Sequence, residues 1–321
     1  SPTFNTFAMP SLRNINTVAR FESKTLMRSW FLRIFAIIAL LVLLLFNIAL
    51  SQQDFSPRIF RGLPTNIPYA SLLIFNVIQA IIAVFLATDF MKRDKKQDTA
   101  EVIFVRPISN GEYIWGKIYG NLRVFLALNV IVLVIPLIFT LVTKDMSFDP
   151  LGYGLYFALI SIPTLLFIFG LSFFLMAWIR NQAIVLLILL GYIALTLFYL
   201  SDKFYYIFDY MSFNIPMIWS EFTGLANSSR IIMHKGLYIS LGISLVFFTV
   251  LLMKRLRQSQ SNYVFSITGG ILFLGISIWL ASSHMEKELD MRNFRERLIH
   301  LNDQYLMKKS GSKLKLIAKI E

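Results

Sequence analysis

The sequence of 321 residues contains no cysteine, which excludes disulfides and thiolate metal or redox sites. Charge is also scarce: 15% of residues are charged and 56% are hydrophobic, with a mean hydropathy of +0.64. Soluble chains carry about 25% charged residues. An excess of apolar side chains on this scale cannot be hidden in one core, so an ordinary soluble enzyme is ruled out. Glycine is sparse as well, 15 residues against 30 Phe. The apolar runs are continuous, whereas a barrel strand would alternate apolar and polar residues over about 10 positions. The N-terminus has no short apolar run ending in a cleavage site, so no secretory signal is expected.

What is present is a series of long apolar runs. Crossing the hydrocarbon takes about 20 mostly apolar residues. Seven stretches qualify: Phe35–Leu50, Ala70–Thr88, Phe125–Val142, Tyr153–Trp178, Ala183–Leu200, Leu237–Met253 and Tyr263–Ala281. Trp30–Phe35 extends the first, with Arg33 placed to snorkel towards headgroups. Only Ile179–Gln182 separates the fourth from the fifth, which predicts a tight helical hairpin. Pro136, Pro163 and Gly170 are expected to kink or thin their helices.

The net charge of +13 is largely an orientation signal. With the N-terminus inside, sixteen basic residues fall in inner segments and six in outer loops. The positive-inside rule therefore predicts a cytoplasmic N-terminus in a cell (inner) membrane, and no nucleic-acid partner is needed to explain the charge. The remaining nine basic residues follow Ala281, in a tail that parity puts outside. There Met285, Leu289, Leu298, Leu301 and Tyr305 recur at helical spacing among charges, which predicts an amphipathic helix. After Ser310-Gly311-Ser312, the run Lys313–Ile320 alternates basic and apolar residues and reads as a strand. A lone strand needs partners. Such a tail would belong to a larger extracytoplasmic domain or lend its strand to an extracytoplasmic partner.

Motifs for chemistry are few. Gly111 to Lys117 matches GxxxxGK, but Ile118 stands where a phosphate-binding loop needs Ser or Thr for Mg²⁺. The bulky Tyr113, Ile114 and Trp115 suit a helix instead, so the chain has no ATPase motif of its own and is not expected to be an enzyme. His234, His284 and His300 are scattered without metal-ligand spacing and read as surface residues near the interface. The spans hold almost no ionisable groups, which argues against an ion-coupled transporter. Their polarity rests on groups such as Asn76, Gln79, Asn129, Ser161 and Thr196. The first four are candidates for lining a translocation path, and helix–helix packing explains them as well.

Two segments on the inner side are more informative. Asn14–Phe31 sets Val18, Phe21, Thr25, Leu26 and Trp30 against Arg20, Glu22, Lys24 and Arg28, as in a helix lying in the headgroup plane. Asp89–Arg123 opens with Lys92-Arg93-Asp94-Lys95-Lys96-Gln97-Asp98. A short helix is expected to end near Val105, because Pro107 disfavours helix at the residue before it. Ser109 or Asn110 would then cap the next helix.

The ordered series Asp98-Thr99-Ala100-Glu101, Arg106-Pro107-Ile108-Ser109 and Tyr113-Ile114-Trp115-Gly116-Lys117 resembles the signature of ABC-2-type transporter permeases. In that family a "GTxE" stretch precedes "PIS", and an aromatic-rich "GK" opens the third span. Asp98 stands where the family usually has Gly. The surface helix carrying Phe21-Glu22 is similar to the family's connecting helix, and the resemblance covers roughly residues 14–255. It implies an all-α polytopic membrane protein: an N-terminus with an interfacial helix (1–33) and an ABC-2-type six-span domain (34–255). A seventh span (256–282) and a basic, extracytoplasmic tail (283–321) would be additions. It also implies a permease subunit of an exporter, with a cytosolic ABC ATPase, a second permease copy or homologue and membrane lipid as partners. No cofactor would be bound directly; ATP and Mg²⁺ would sit on the ATPase. Glu22, Arg28, Lys95, Asp98, Thr99, Glu101, Arg106 and Pro107 are the residues implied at the ATPase contact. Short re-entrant helices are implied within Phe204–Phe222. The alternative is a membrane scaffold or anchor for an extracytoplasmic assembly.

Overall fold

The computed structural model describes residues 11–51, 66–89, 108–142, 148–200, 203–215, 217, 219–220, 224–225, 228–253 and 260–317. A surface helix, α1 (Leu12–Arg28), turns at Ser29 into α2 (Trp30–Ser51). Next come α3 (Asn66–Thr88), α4 (Asn110–Val142) and the short α5 (Pro150–Tyr156). A π turn, Phe157–Ser161, carries α5 into α6 (Ile162–Ile179). Then follow α7 (Gln182–Leu195), α8 (Ser228–Leu252) and α9 (Gln260–Ile317). The protein is all-α and multi-pass: among the described residues seven helices are long and apolar enough to cross a membrane, one at each predicted run.

Burial sorts these helices. The apolar windows of α3 and of α5–α6 are 67% and 72% buried, while those of α2, α7 and α9 are about a fifth buried or less. The core therefore runs through α3, α4, α6 and α8, and α2, α7 and α9 turn apolar faces outward. Ile37, Leu41, Leu45, Leu187 and Phe198 are exposed on α2 and on α7 with its terminal π turn. In a bilayer those faces meet lipid tails, which are as apolar as leucine.

Small residues set the close crossings. A Cβ on Gly170 of α6 would lie 2.6 Å from the Gly242 carbonyl oxygen of α8, and one on Gly242 would lie 2.8 Å from that of Leu166. Gly170 thus thins its helix as expected, and two backbones touch there. Ser244 of α8 donates to the Gly270 carbonyl of α9 at 2.8 Å. The α6–α7 hairpin turns on Arg180, left-handed at φ 59°, followed by Asn181, whose side chain accepts from the amides of Ala183 and Ile184.

Two expectations are corrected. The Ser310-Gly311-Ser312 stretch does not end the helix, and the predicted strand from Lys313 is helical through Ile317. Leu and Lys are strong helix formers, and over so short a run their propensity outweighs an alternating pattern; residues 318–320 of that run lie outside the described residues. The outer loop contains no re-entrant helix among its described residues. It holds a single turn at Phe204–Tyr206 and a two-residue antiparallel pair, Trp219–Ser220 with Gly224–Leu225. Phe204, Tyr205 and Tyr206 all have φ between 51° and 62°, a conformation no right-handed helix can continue.

Candidate functional site

The start of α4 is a hub. Ser109 and Glu112 form a capping box: the Glu112 amide donates to Ser109 Oγ at 3.2 Å, and the Ser109 amide donates to Glu112 Oε2 at 2.9 Å. The other carboxylate oxygen of Glu112 accepts from the Ser11 amide at 2.6 Å and from Asn14 Nδ2 at 3.1 Å, which pins the start of α1. Asn110 Nδ2 donates to the Met253 carbonyl at 3.1 Å and ties in the end of α8. The segment that mimics a phosphate-binding loop is therefore a capped helix.

One turn further on, α1 lies against α4 with almost no side-chain spacer. A Cβ on Gly116 would meet Val18 at 2.6 Å, and one on Gly120 would meet the Ala19 carbonyl oxygen at 2.7 Å. Gly116 and Gly120 are four apart and form a small-xxx-small seam. Ser23 Oγ lies within hydrogen-bonding reach of the Gly120 carbonyl at 3.0 Å and of the Ala19 carbonyl at 2.8 Å. Beside this seam Lys117 Nζ sits 3.1 Å from Glu22 Oε2, with both side chains less than 5% exposed. Asn121 bonds the Lys117 carbonyl at 2.7 Å and reaches Glu22 Oε1 at 3.5 Å.

Glu22 is thus not on the solvated face where the periodicity put it. Its face is the buried stripe Ala19, Glu22, Ser23 and Leu26, while Phe21 is exposed beside Arg20 and Lys24. The pattern alone could not reveal a partner lysine in another helix. Arg28 is exposed in the last turn of α1, as expected. Lys95, Asp98, Thr99, Glu101, Arg106 and Pro107 lie outside the described residues.

The four path candidates converge. Asn76 Nδ2 donates to Thr164 Oγ1 at 3.0 Å and to the Met211 carbonyl at 2.7 Å. Gln79 Nε2 donates to Asn76 Oδ1 at 2.6 Å, and Gln79 Oε1 accepts from Asn129 Nδ2 at 2.7 Å. Ser161 Oγ donates to Asn129 Oδ1 at 2.6 Å, and Thr164 Oγ1 donates to the Tyr210 carbonyl at 2.9 Å. All five side chains are fully buried. One chain of hydrogen bonds therefore joins α3, α4, α6 and the outer loop. The π turn that ends at Ser161 stands just before Pro163, which lacks an amide hydrogen, and it brings Ser161 to Asn129.

The outer loop is plugged into this core. Asp209 is fully buried, and its carboxylate accepts from the amides of Phe213, Asn214 and Ile215 at 2.8 to 3.0 Å. Tyr210 stacks on Tyr192 with ring centroids 5.4 Å apart, and burial pushes its phenol well above its usual pKa, so it stays neutral. Lys235 of α8 donates to Ser212 Oγ. His234 and His284 are buried, not at the surface. Their rings lie 5.2 Å apart, and their Nε2 atoms meet the carbonyls of Tyr206 and Tyr205 at 3.0 and 3.1 Å. The two histidines hold the left-handed turn in place. Sequence reasoning missed them because their partners are backbone carbonyls 28 and 79 residues away.

Comparison of the sequence with protein-family models and with curated proteins gives no match. Function is therefore argued from the residues and their geometry.

Proposed function

We propose that this chain is the transmembrane permease subunit of an ATP-driven ABC transporter, an exporter, coupled to separate cytosolic ATPase subunits and paired with a second permease copy or homologue. The observation that carries the reading is the rigid join of α1 to α4. A surface helix that is docked through two glycines, a shared Glu112 carboxylate and a buried Glu22–Lys117 ion pair cannot move alone. Force applied to its exposed charged face passes into α4. From there the Asn129 link carries displacement to α3 and α6.

In this mechanism ATP-driven closure of the ATPases pushes on α1 and on the charged segment 92–107. The helices then tilt as packed bodies, with α6 and α8 pivoting where Gly170 and Gly242 touch. In this reading the covalent chemistry belongs to the partner ATPase. ATP and Mg²⁺ act on the partner, and lipid surrounds α2, α7 and α9. The ordered Asp98-Thr99-Ala100-Glu101, Pro107-Ile108-Ser109 and Gly116-Lys117 series adds sequence support.

A scaffold that anchors an extracytoplasmic assembly is the second reading, favoured by the long exposed end of α9. Purification in mild detergent with nucleotide separates the two. The permease reading expects an ABC ATPase to co-elute, and recovery of extracytoplasmic partners alone would overturn it.

A further inference from the structure

The apolar part of α9 ends near Ala281, yet the helix runs on to Ile317. At 1.5 Å per residue that extension is about 50 Å long. Its inner face meets the body at Glu288, which pairs with Arg230 of α8 at 2.8 Å, and one turn further on Arg292 reaches the Tyr205 hydroxyl. From Leu289 to Leu306 every residue is exposed. On this stretch Met291, Phe294, Leu298, Leu301 and Tyr305 are 48 to 64% exposed and follow each other at spacings of 3, 4, 3 and 4. That is the a/d alternation of a coiled-coil seam. It lies to one side of the face that meets the body through His284, Glu288 and Arg292, with Met291 at the edge of the groove between α9 and the Phe204–Tyr206 turn.

We propose that the extensions of α9 from two copies of this chain pair as a parallel two-stranded coiled coil over Met291–Tyr305. Two copies inserted with the same orientation send α9 out of the same face of the membrane, so only the parallel arrangement is available. In that register position g of one heptad faces position e of the next on the other helix. Asp290 of one copy then meets Arg295 of the other, and symmetry makes the contact twice. The following pair, Arg297 with Asn302, sets no like charges together. The seam is short, and confinement in one membrane supplies the effective concentration that free helices of this length would lack. The inference does not rest on the permease reading: a chain that transports nothing would pair in the same way.

The absence of native cysteine makes the test direct. Leu298→Cys, Leu301→Cys and Glu296→Cys are each introduced singly into the full chain, and native membranes are treated with a mild oxidant. The seam positions are expected to form disulfide dimers at least tenfold faster than Glu296→Cys, which faces away. Equal rates, or no dimer at seam cysteines that a maleimide still labels, would overturn the proposal. Asp290→Arg is expected to slow cross-linking at Leu298→Cys several-fold, and adding Arg295→Asp to restore it. Failure of the double exchange to restore the rate would overturn the parallel register. Loss of ATPase co-elution leaves these readouts unchanged, so the two proposals fail separately.

Discussion

At the scale of single residues, the Glu22–Lys117 pair and the glycines beside it decide how firmly α1 is held. Removing one partner of a buried ion pair costs about 3–5 kcal/mol, whereas replacing both with apolar residues is often neutral. Glu22→Gln is therefore expected to lower the melting temperature of the detergent-solubilised protein sharply, and Glu22→Leu with Lys117→Met to recover most of the loss. Equal melting of the wild type and Glu22→Gln would contradict a dry pair. Gly120→Leu should act by another route, because its side chain would drive into the Ala19 carbonyl and Glu22 Cβ, 2.7 and 2.8 Å from a Cβ at that position. Trypsin should then cut at Arg20 and Lys24 many times faster than in the parent. Gly116-xxx-Gly120 matches a known seam pattern, a local signal that does not say which helix fills it. The ion pair was not, because hydrophobic periodicity assigns a glutamate to the wet face unless its partner is known.

Among the elements, the α3–α4–α6 junction carries the polarity of the spans. Asn129→Leu would strip partners from Gln79 Oε1 and Ser161 Oγ at once. Each buried polar group left unsatisfied costs about 1–3 kcal/mol. A drop in thermal stability larger than that of Leu128→Ala, at a half-buried neighbouring position, is the expected result on a melting curve. The seven apolar runs and a cap at Ser109 or Asn110 were legible because length, hydropathy and capping are local signals, and the structure shows that Ser109 is the cap, boxed with Glu112. The convergence of Asn76, Gln79, Asn129 and Ser161 was not, since it depends on how three helices are rotated against each other and on the extra residue in the π turn. The end of α9 shows the converse failure. Eight residues of alternating pattern suggested a strand, and helix propensity continuing from the preceding turns won.

For the whole molecule, seven crossings would place the two ends of the described chain on opposite sides of the membrane. Single cysteines at Arg13 and Asn293, both exposed, are expected to react with a membrane-impermeant maleimide from opposite faces of sealed vesicles. Labelling of both from one face would leave six crossings and move the α9 extension to the side of α1. The proposed function uses the same architecture: a surface helix locked to the spans at one end, and a loop locked into them at the other. As proposed, α1 receives force from an ATPase. The decisive measurement is the ATP hydrolysis rate of the ATPase expected to co-elute with the chain, reconstituted with the wild-type protein and with Arg28→Glu. The exposed Arg28 is not part of the packing, so the variant should keep its melting temperature while stimulation of hydrolysis falls at least tenfold. Unchanged stimulation by Arg28→Glu, together with unchanged stimulation when α1 is loosened by Gly120→Leu, would contradict it.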